Sequence, residues 1–214
     1  MSKIDIFPTS SLVLENLMIS RGTNNIFSNF SYTFSGGNLY LIHGSNGIGK
    51  TTLLRTIAGI IAPIKGKILY NSIPINRNYR EYVSKINYIG HSNGLSPILS
   101  VQSNLETWNE INGNKNYINF AVKAFNIQRL LSLLIKDLSS GQQRRVALTR
   151  LVLCKKNIWL LDEPLNSIDE HTQKIFNKIV LEQINNNGII IMASHQKFEF
   201  ANKKRISFLD LDKH

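Results

Sequence analysis

A lone cysteine, Cys154, is the entire thiol complement of this 214-residue chain. No intrachain disulfide can form, and no thiolate cluster can hold a metal. Set among Leu151, Val152 and Leu153, Cys154 reads as a small buried apolar side chain within a helix. No apolar run reaches the length of a membrane span, and the opening Met1-Ser2-Lys3-Ile4-Asp5 lacks the apolar core of a secretory signal. The chain is therefore expected to stay in the cytoplasm. Internal repeats and low-complexity linkers are missing too, which leaves one large domain or a core with a modest inserted lobe. Acidic residues are scarce, 14 against 25 Lys and Arg, for a net charge of +11. Such a field favours polyanions or an anionic membrane surface. The excess is scattered, and its one tight triplet, Lys203-Lys204-Arg205, reads as a solvated tail; the charge favours peripheral residence on the anionic inner leaflet, and nucleic acid is not an expected partner, since there is one phosphate loop rather than a tandem pair.

What the chain does have is Gly44-Ser45-Asn46-Gly47-Ile48-Gly49-Lys50-Thr51, with Thr52 next, between an apolar run (Leu39 to Ile42) and a helical pattern. Glycines at 44, 47 and 49 let the backbone turn tightly with its N–H groups inward, so an anion can sit at the positive end of the following helix. Lys50 adds a point charge for β- and γ-phosphates, and the Thr51 hydroxyl can ligate Mg²⁺. These residues predict a nucleotide triphosphate site.

Residues 12 to 42 alternate and punctuate like strands, which predicts a β-rich opening. The loop helix should run from about Lys50 to Ala58 and stop at Gly59, with short strands at Lys67 to Tyr70 and Lys85 to Ile89. From 92 to 137 the pattern turns helical, with Leu105, Trp108 and Ile111 predicted on one face and Ile118, Val122 and Phe125 on another. Beyond it the sequence predicts a helix from Gln142 to about Lys155, a strand Ile158 to Leu161, a helix from Glu170 to Gln183 and a strand Ile189 to Met192. That alternation builds a parallel sheet covered on both faces, an α/β class. The expected organisation is a core of residues 1–91 and 138–214 with a small inserted helical lobe at about 92–137.

Asp162 and Glu163 follow a buried strand at its carboxyl end, where open α/β sheets place their ligands. Asp162 is suited to the Mg²⁺ shell, and Glu163 to orienting and polarising the water that attacks the γ-phosphate. Two acids at a strand end can equally be a solvated turn, a reading that the phosphate loop in the same chain disfavours. Leu138-Ser139-Ser140-Gly141-Gln142 opens another helix, with Ser139 placed as its cap and a second anion site at its positive end.

Leu138 to Gln142, followed by Gln143-Arg144-Arg145 and then by the Asp162-Glu163 strand, resembles the signature segment of ATP-binding cassette ATPases. The resemblance runs over nearly the whole chain, with its motifs in order. It implies a P-loop NTPase core of the ABC type with an N-terminal antiparallel β subdomain. It also implies ATP and Mg²⁺ as ligands and hydrolysis by Glu163, His195 and Lys50. Asn166-Ser167-Ile168-Asp169 is similar to the loop through which paired cassettes communicate, and Ser194-His195 to the switch histidine at the γ-phosphate. In that family two cassettes close head to tail, which implies that Ser139, Ser140, Gly141 and Gln142 act on the partner's nucleotide, in a homodimer docked on integral membrane subunits at the cytoplasmic face.

Two places depart from the family pattern. Gly90-His91-Ser92 stands where most cassettes have a glutamine, so His91 either reaches Mg²⁺ or the water through a ring nitrogen or contacts the lobe. No aromatic precedes Gly22, where adenine usually stacks, leaving Arg21 and Phe27 as candidates. Gly90-His91, the run Gly141 to Leu148 and the run Ile158 to Pro164 with Ser167-Ile168-Asp169 resemble the ATP-binding subunits of the haem exporter used in cytochrome c maturation. Ser140 replaces that group's usual alanine, and Leu165-Asn166 its phenylalanine and threonine.

Overall fold

The computed structural model describes residues 6–22, 24–112, 117–194 and 205–213. Strands β3 (Asn38–His43), β6 (Ile86–Ile89), β7 (Ile158–Asp162), β8 (Ile189–Ala193) and β9 (Ile206–Asp210) form one sheet in the order β6-β7-β8-β3-β9, every pair parallel. β7 and β8 are buried along their whole length, which is why both read as unbroken apolar runs rather than as alternating ones. Strands β1 (Ser11–Arg21), β2 (Asn24–Ser35), β4 (Lys65–Tyr70) and β5 (Ile73–Pro74) form a second, antiparallel sheet in the order β2-β1-β4-β5.

Successive side chains of a strand point to opposite faces, so the central sheet divides its residues between two cores. Leu39, Leu41, Trp159, Leu161, Ile190 and Met192 face the helices α5 (Ser140–Leu148), α6 (Arg150–Leu153) and α7 (Glu170–Asn185). Tyr40, Ile42, Ile158, Leu160, Ile189 and Ile191 face α1 (Lys50–Ile57) and the inner side of the antiparallel sheet, through Leu12, Leu14, Phe27 and Phe34. One face of the parallel sheet is thus covered by helices, and the other by a helix together with a β layer.

Residues 92–137 carry α3 (Val101–Asn112) and α4 (Ile118–Ala124), both packed on α6, and Ser100 forms an isolated antiparallel bridge with Leu134. The short helix α2 (Tyr79–Ser84) leads into β6. On α3 the expected face fails at one residue: Leu105 is fully buried, but Ile111 is 76% exposed. Steps of three residues drift about 60° each around a helix, so Ile111 sits about 120° from Leu105, whereas Val101 stays in line and is buried. On α4 the Ile118, Val122 and Phe125 spacing holds the stripe, and Val122 and Phe125 are buried.

The helix expected over 142–155 is two. α5 begins at Ser140, and the run breaks at Thr149, whose Oγ1 donates to Val146 O at 2.6 Å while its N–H bonds three residues back to the same carbonyl. Cys154 follows α6 in an extended conformation and is 2% exposed, a small apolar filler as expected, though outside the helix.

Candidate functional site

The phosphate loop joins the end of β3 to the start of α1. Gly44, Gly47 and Gly49 all have positive φ, at 149°, 86° and 113°. At Gly49 a side chain is doubly barred, since a Cβ would run into Ile26 Cγ2 and come within 3.0 Å of the Phe27 ring. Ser45, Asn46 and Gly47 are exposed at the tip, while Lys50 is 9% exposed and folds back to donate from Nζ to Gly44 O (2.7 Å) and Ser45 O (3.0 Å). A buried ammonium bonded to two loop carbonyls at a helix start, below an exposed glycine-rich tip, fits a triphosphate tail. Ile48 lies half-buried beneath the tip, and Thr52 is buried with its carbonyl accepting from Thr56 Oγ1 at 2.9 Å.

β7 lies two strands from β3, and its last residue reaches α1. Thr51 Oγ1 donates to Asp162 Oδ2 at 2.7 Å, across 111 residues of sequence. Asp162 is 4% exposed. Among the described residues no group of three or more His, Cys, Asp and Glu stands together. This pair of hard oxygens suits Mg²⁺, which keeps waters and phosphate oxygens in most of its shell and needs few protein ligands. Glu163, next in sequence, has φ +49°, a left-handed conformation unfavourable for a side chain with a Cβ. Its N–H donates to Ala193 O at 2.9 Å, which ties the turn to the end of β8.

The signature turn forms a reciprocal cap. Ser139 Oγ accepts from Gln142 N–H at 3.3 Å and Gln142 Oε1 accepts from Ser139 N–H at 2.9 Å, leaving the Ser139 hydroxyl proton free to donate. Ser139 and Ser140 are exposed. Gly141 packs against the 166–169 segment so closely that a Cβ would overlap Ser167 O. Asp169 caps α7, its Oδ1 accepting from Thr172 N–H at 2.7 Å, and lies 3.9 Å from Arg145 Nη1. Its pKa is held below the ordinary carboxylate value, first by the hydrogen bonds from Thr172 and then by Arg145 and His171, against some desolvation.

Thr51 thus meets Asp162, Lys50 folds back onto the carbonyls of its own loop, and Gly141 of the Ser139–Gln142 turn meets Ser167 of its own chain. His91 is exposed on the segment after β6. His195 lies outside the described residues, although Ser194 before it is buried at the end of β8. Phe27 is 2% exposed, its ring against Phe30 at 5.2 Å, whereas Arg21 is exposed at the end of β1.

Two further residues at the site have contacts that the sequence did not signal: Asp212, and Arg144, which the sequence marks only as part of the signature resemblance. Asp212 accepts from Ser45 N–H at 3.0 Å and from Ser45 Oγ at 2.8 Å, fastening the start of the phosphate loop to the chain's C-terminal end. Those bonds, with a smaller contribution from Lys50, lower the Asp212 pKa. Arg144, buried behind the Asp162-Glu163 turn, donates to carbonyls on both β-strand ends next to it.

Comparison with known proteins agrees with this arrangement. The family described as ABC transporter matches residues 27–166. A protein named cytochrome c biogenesis ATP-binding export protein CcmA from Haemophilus ducreyi is 36% identical, over 94% of this chain and 97% of that relative. Its namesake from Rickettsia bellii is 38% identical over 79% of this chain and 85% of its own length. Among solved structures, a putative ABC transporter (ATP-binding protein) from Pyrococcus furiosus superposes with a TM-score of 0.79 at 30% identity, covering 95% of this chain and 98% of that one. The chain belongs to the ABC transporter family, as one of its ATP-binding, ATP-hydrolysing subunits.

Proposed function

We propose that this ATPase serves cytochrome c biogenesis, powering release or export of haem through integral membrane subunits. It works there as a homodimer on the cytoplasmic face of the membrane. The observation that carries the ATPase chemistry is the Thr51–Asp162 hydrogen bond at 2.7 Å, which joins the phosphate loop to the acidic turn. The assignment to cytochrome c biogenesis is supported by the end-to-end similarity to export proteins bearing that name. No helix among the described residues is long and apolar enough to cross a membrane, so movement of a substrate through the bilayer falls to partner subunits.

In this reading the loop N–H groups of residues 44–49 and the Lys50 ammonium hold the β- and γ-phosphates. Mg²⁺, held by Thr51 and Asp162, would neutralise charge developing on the phosphate oxygens. Glu163 orients and polarises the attacking water, and His195 stands at the γ-phosphate. His91 takes the place of the usual glutamine near the metal or the water. Ser139, Ser140, Gly141 and Gln142 offer a hydroxyl and a positive helix end to the nucleotide of a second copy, so that a γ-phosphate is neutralised from both sides. Asp169 carries the state of one copy to the other. The net charge of +11 supports residence at anionic lipid.

Complementation tests the reading. A strain carrying Lys50→Ala as its only copy should lose covalent haem from its c-type cytochromes, and wild-type chain pulled from membranes should bring integral proteins with it. Purified Glu163→Gln should bind ATP yet hydrolyse it about 10² to 10⁴ times more slowly. Normal holocytochrome levels in the Lys50→Ala strain would reject the cytochrome assignment, and an unchanged Glu163→Gln rate would reject the role of the acid.

A further inference from the structure

Arg144 is 4% exposed, and all five of its N–H donors are directed to acceptors. Nε donates to Pro164 O at 3.2 Å. Nη1 donates to Gly90 O at 2.9 Å and Asn93 Oδ1 at 3.0 Å. Nη2 donates to Asp162 O at 2.8 Å and Glu163 O at 2.7 Å. One guanidinium carried by helix α5 thus bonds two other parts of the molecule: the acidic turn 162–164 and the segment 90–93 that leads from β6 into the α3–α4 region. Four of the five acceptors are backbone carbonyls, so the fork sets main-chain path rather than merely pairing a charge.

The bond to Glu163 O carries most of the consequence. Glu163 occupies the left-handed region at φ +49°, a strained conformation for a residue with a Cβ that persists only when its surroundings enforce it. Its N–H is held by Ala193 O and its carbonyl by Arg144, one bond on each side of the strained residue. The direction of the Glu163 side chain follows from that backbone. Burial pulls the Arg144 pKa down to about 10, while Asp162 and Glu163 oppose the fall and Arg150 adds to it. The group therefore stays cationic at neutral pH.

We infer that Arg144 is a positioning residue for hydrolysis: it holds the Glu163 carboxylate in its working direction and ties that direction to the 90–93 segment entering the α3–α4 region. Lysine cannot replace it, because an ammonium has three donors on one point and cannot span acceptors lying on both sides of a planar fork. The inference rests on the proposed role of Glu163.

The test is a double-mutant cycle on the full chain purified with its membrane partners, reading kcat, KM for ATP, nucleotide affinity and thermal midpoint. Arg144→Lys should lower kcat by about 10- to 100-fold while KM for ATP stays within about twofold. Placed in a Glu163→Gln background, the same change should alter the residual rate by less than about twofold, since the carboxylate it positions is gone. Arg144→Gln should behave alike and serves as the second variant should lysine prevent folding. A wild-type kcat in Arg144→Lys overturns the inference, as does a loss that persists in full in the Glu163→Gln background. Failure of both variants to fold would assign Arg144 to stability alone and overturn it too. An unchanged rate in Glu163→Gln by itself would instead sink the reading of Glu163, and this inference with it, whereas a failed Arg144 arm leaves that reading standing.

Discussion

Gly141→Ala separates a close tertiary contact from a local helix effect, because the two act with opposite sign. Gly141 is the second residue of α5, and by propensity alone alanine there should stabilise the helix by up to about 1 kcal/mol. The added Cβ, however, would lie roughly 1 Å inside ordinary contact distance from Ser167 O, a backbone atom. Ser167 cannot yield cheaply, since it is itself in the left-handed region at φ +62° between the acidic turn and the Asp169 cap. Overpacking of this kind costs about 1–3 kcal/mol. The net destabilisation is then up to about 3 kcal/mol, a fall in Tm of up to about 12 °C for a chain of this length. The functional loss should be larger than the loss of stability, because the signature turn is displaced by about the distance that costs 10²-fold in a positioned reaction. Calorimetry, binding of a fluorescent ATP analogue and steady-state ATPase measurements on the same preparation check this. Analogue binding should be retained, since residues 44–51 do not touch Gly141. A raised Tm with wild-type ATPase would show that the contact between Gly141 and Ser167 does not set the geometry.

Thr51→Val removes the hydroxyl that meets Asp162 while keeping the shape of the side chain. The Mg²⁺ concentration giving half-maximal ATPase should rise by about 10- to 100-fold, with metal-free nucleotide affinity unchanged, as a magnesium titration would read. Asp169→Ala deletes the α7 cap and should cost about 1 kcal/mol at neutral pH in denaturant unfolding. The folded Asp169 pKa lies below its unfolded value, so the cap contributes fully above the ordinary carboxylate value and is lost as pH falls through the folded value. The stability gap between wild type and variant should therefore close on acidification, and a gap independent of pH would contradict the capping role.

The parts legible in the sequence share one physical property: their signal is local. Positive-φ glycines at 44, 47 and 49 stand at the loop's own turns, and Ser139 with Gln142 three residues on is a cap written in adjacent letters. The fully buried runs 158–161 and 189–192 announce themselves as central strands because parallel strands have no polar face. Where local patterning misled, the reason was local as well. At Ile111 a three-residue step drifted off the stripe, and at Thr149 a hydroxyl bonded back into its own helix turn and broke a run that hydropathy alone made continuous.

The sequence alone determined the nucleotide loop, the acidic turn, the signature cap and the α/β alternation, since each is encoded within a few neighbouring residues. Tertiary structure alone decided which distant pieces meet them. Asp212 fastens Ser45 from 167 residues away, and Gly141 makes room for a carbonyl of the 166–169 segment. Arg144 gathers carbonyls from segments up to 54 positions distant. Backbone carbonyls are the same in every residue type, so nothing in the order of side chains marks which of them a buried guanidinium will bind. Only the packing of β6, β7 and α5 brings those oxygens onto one fork.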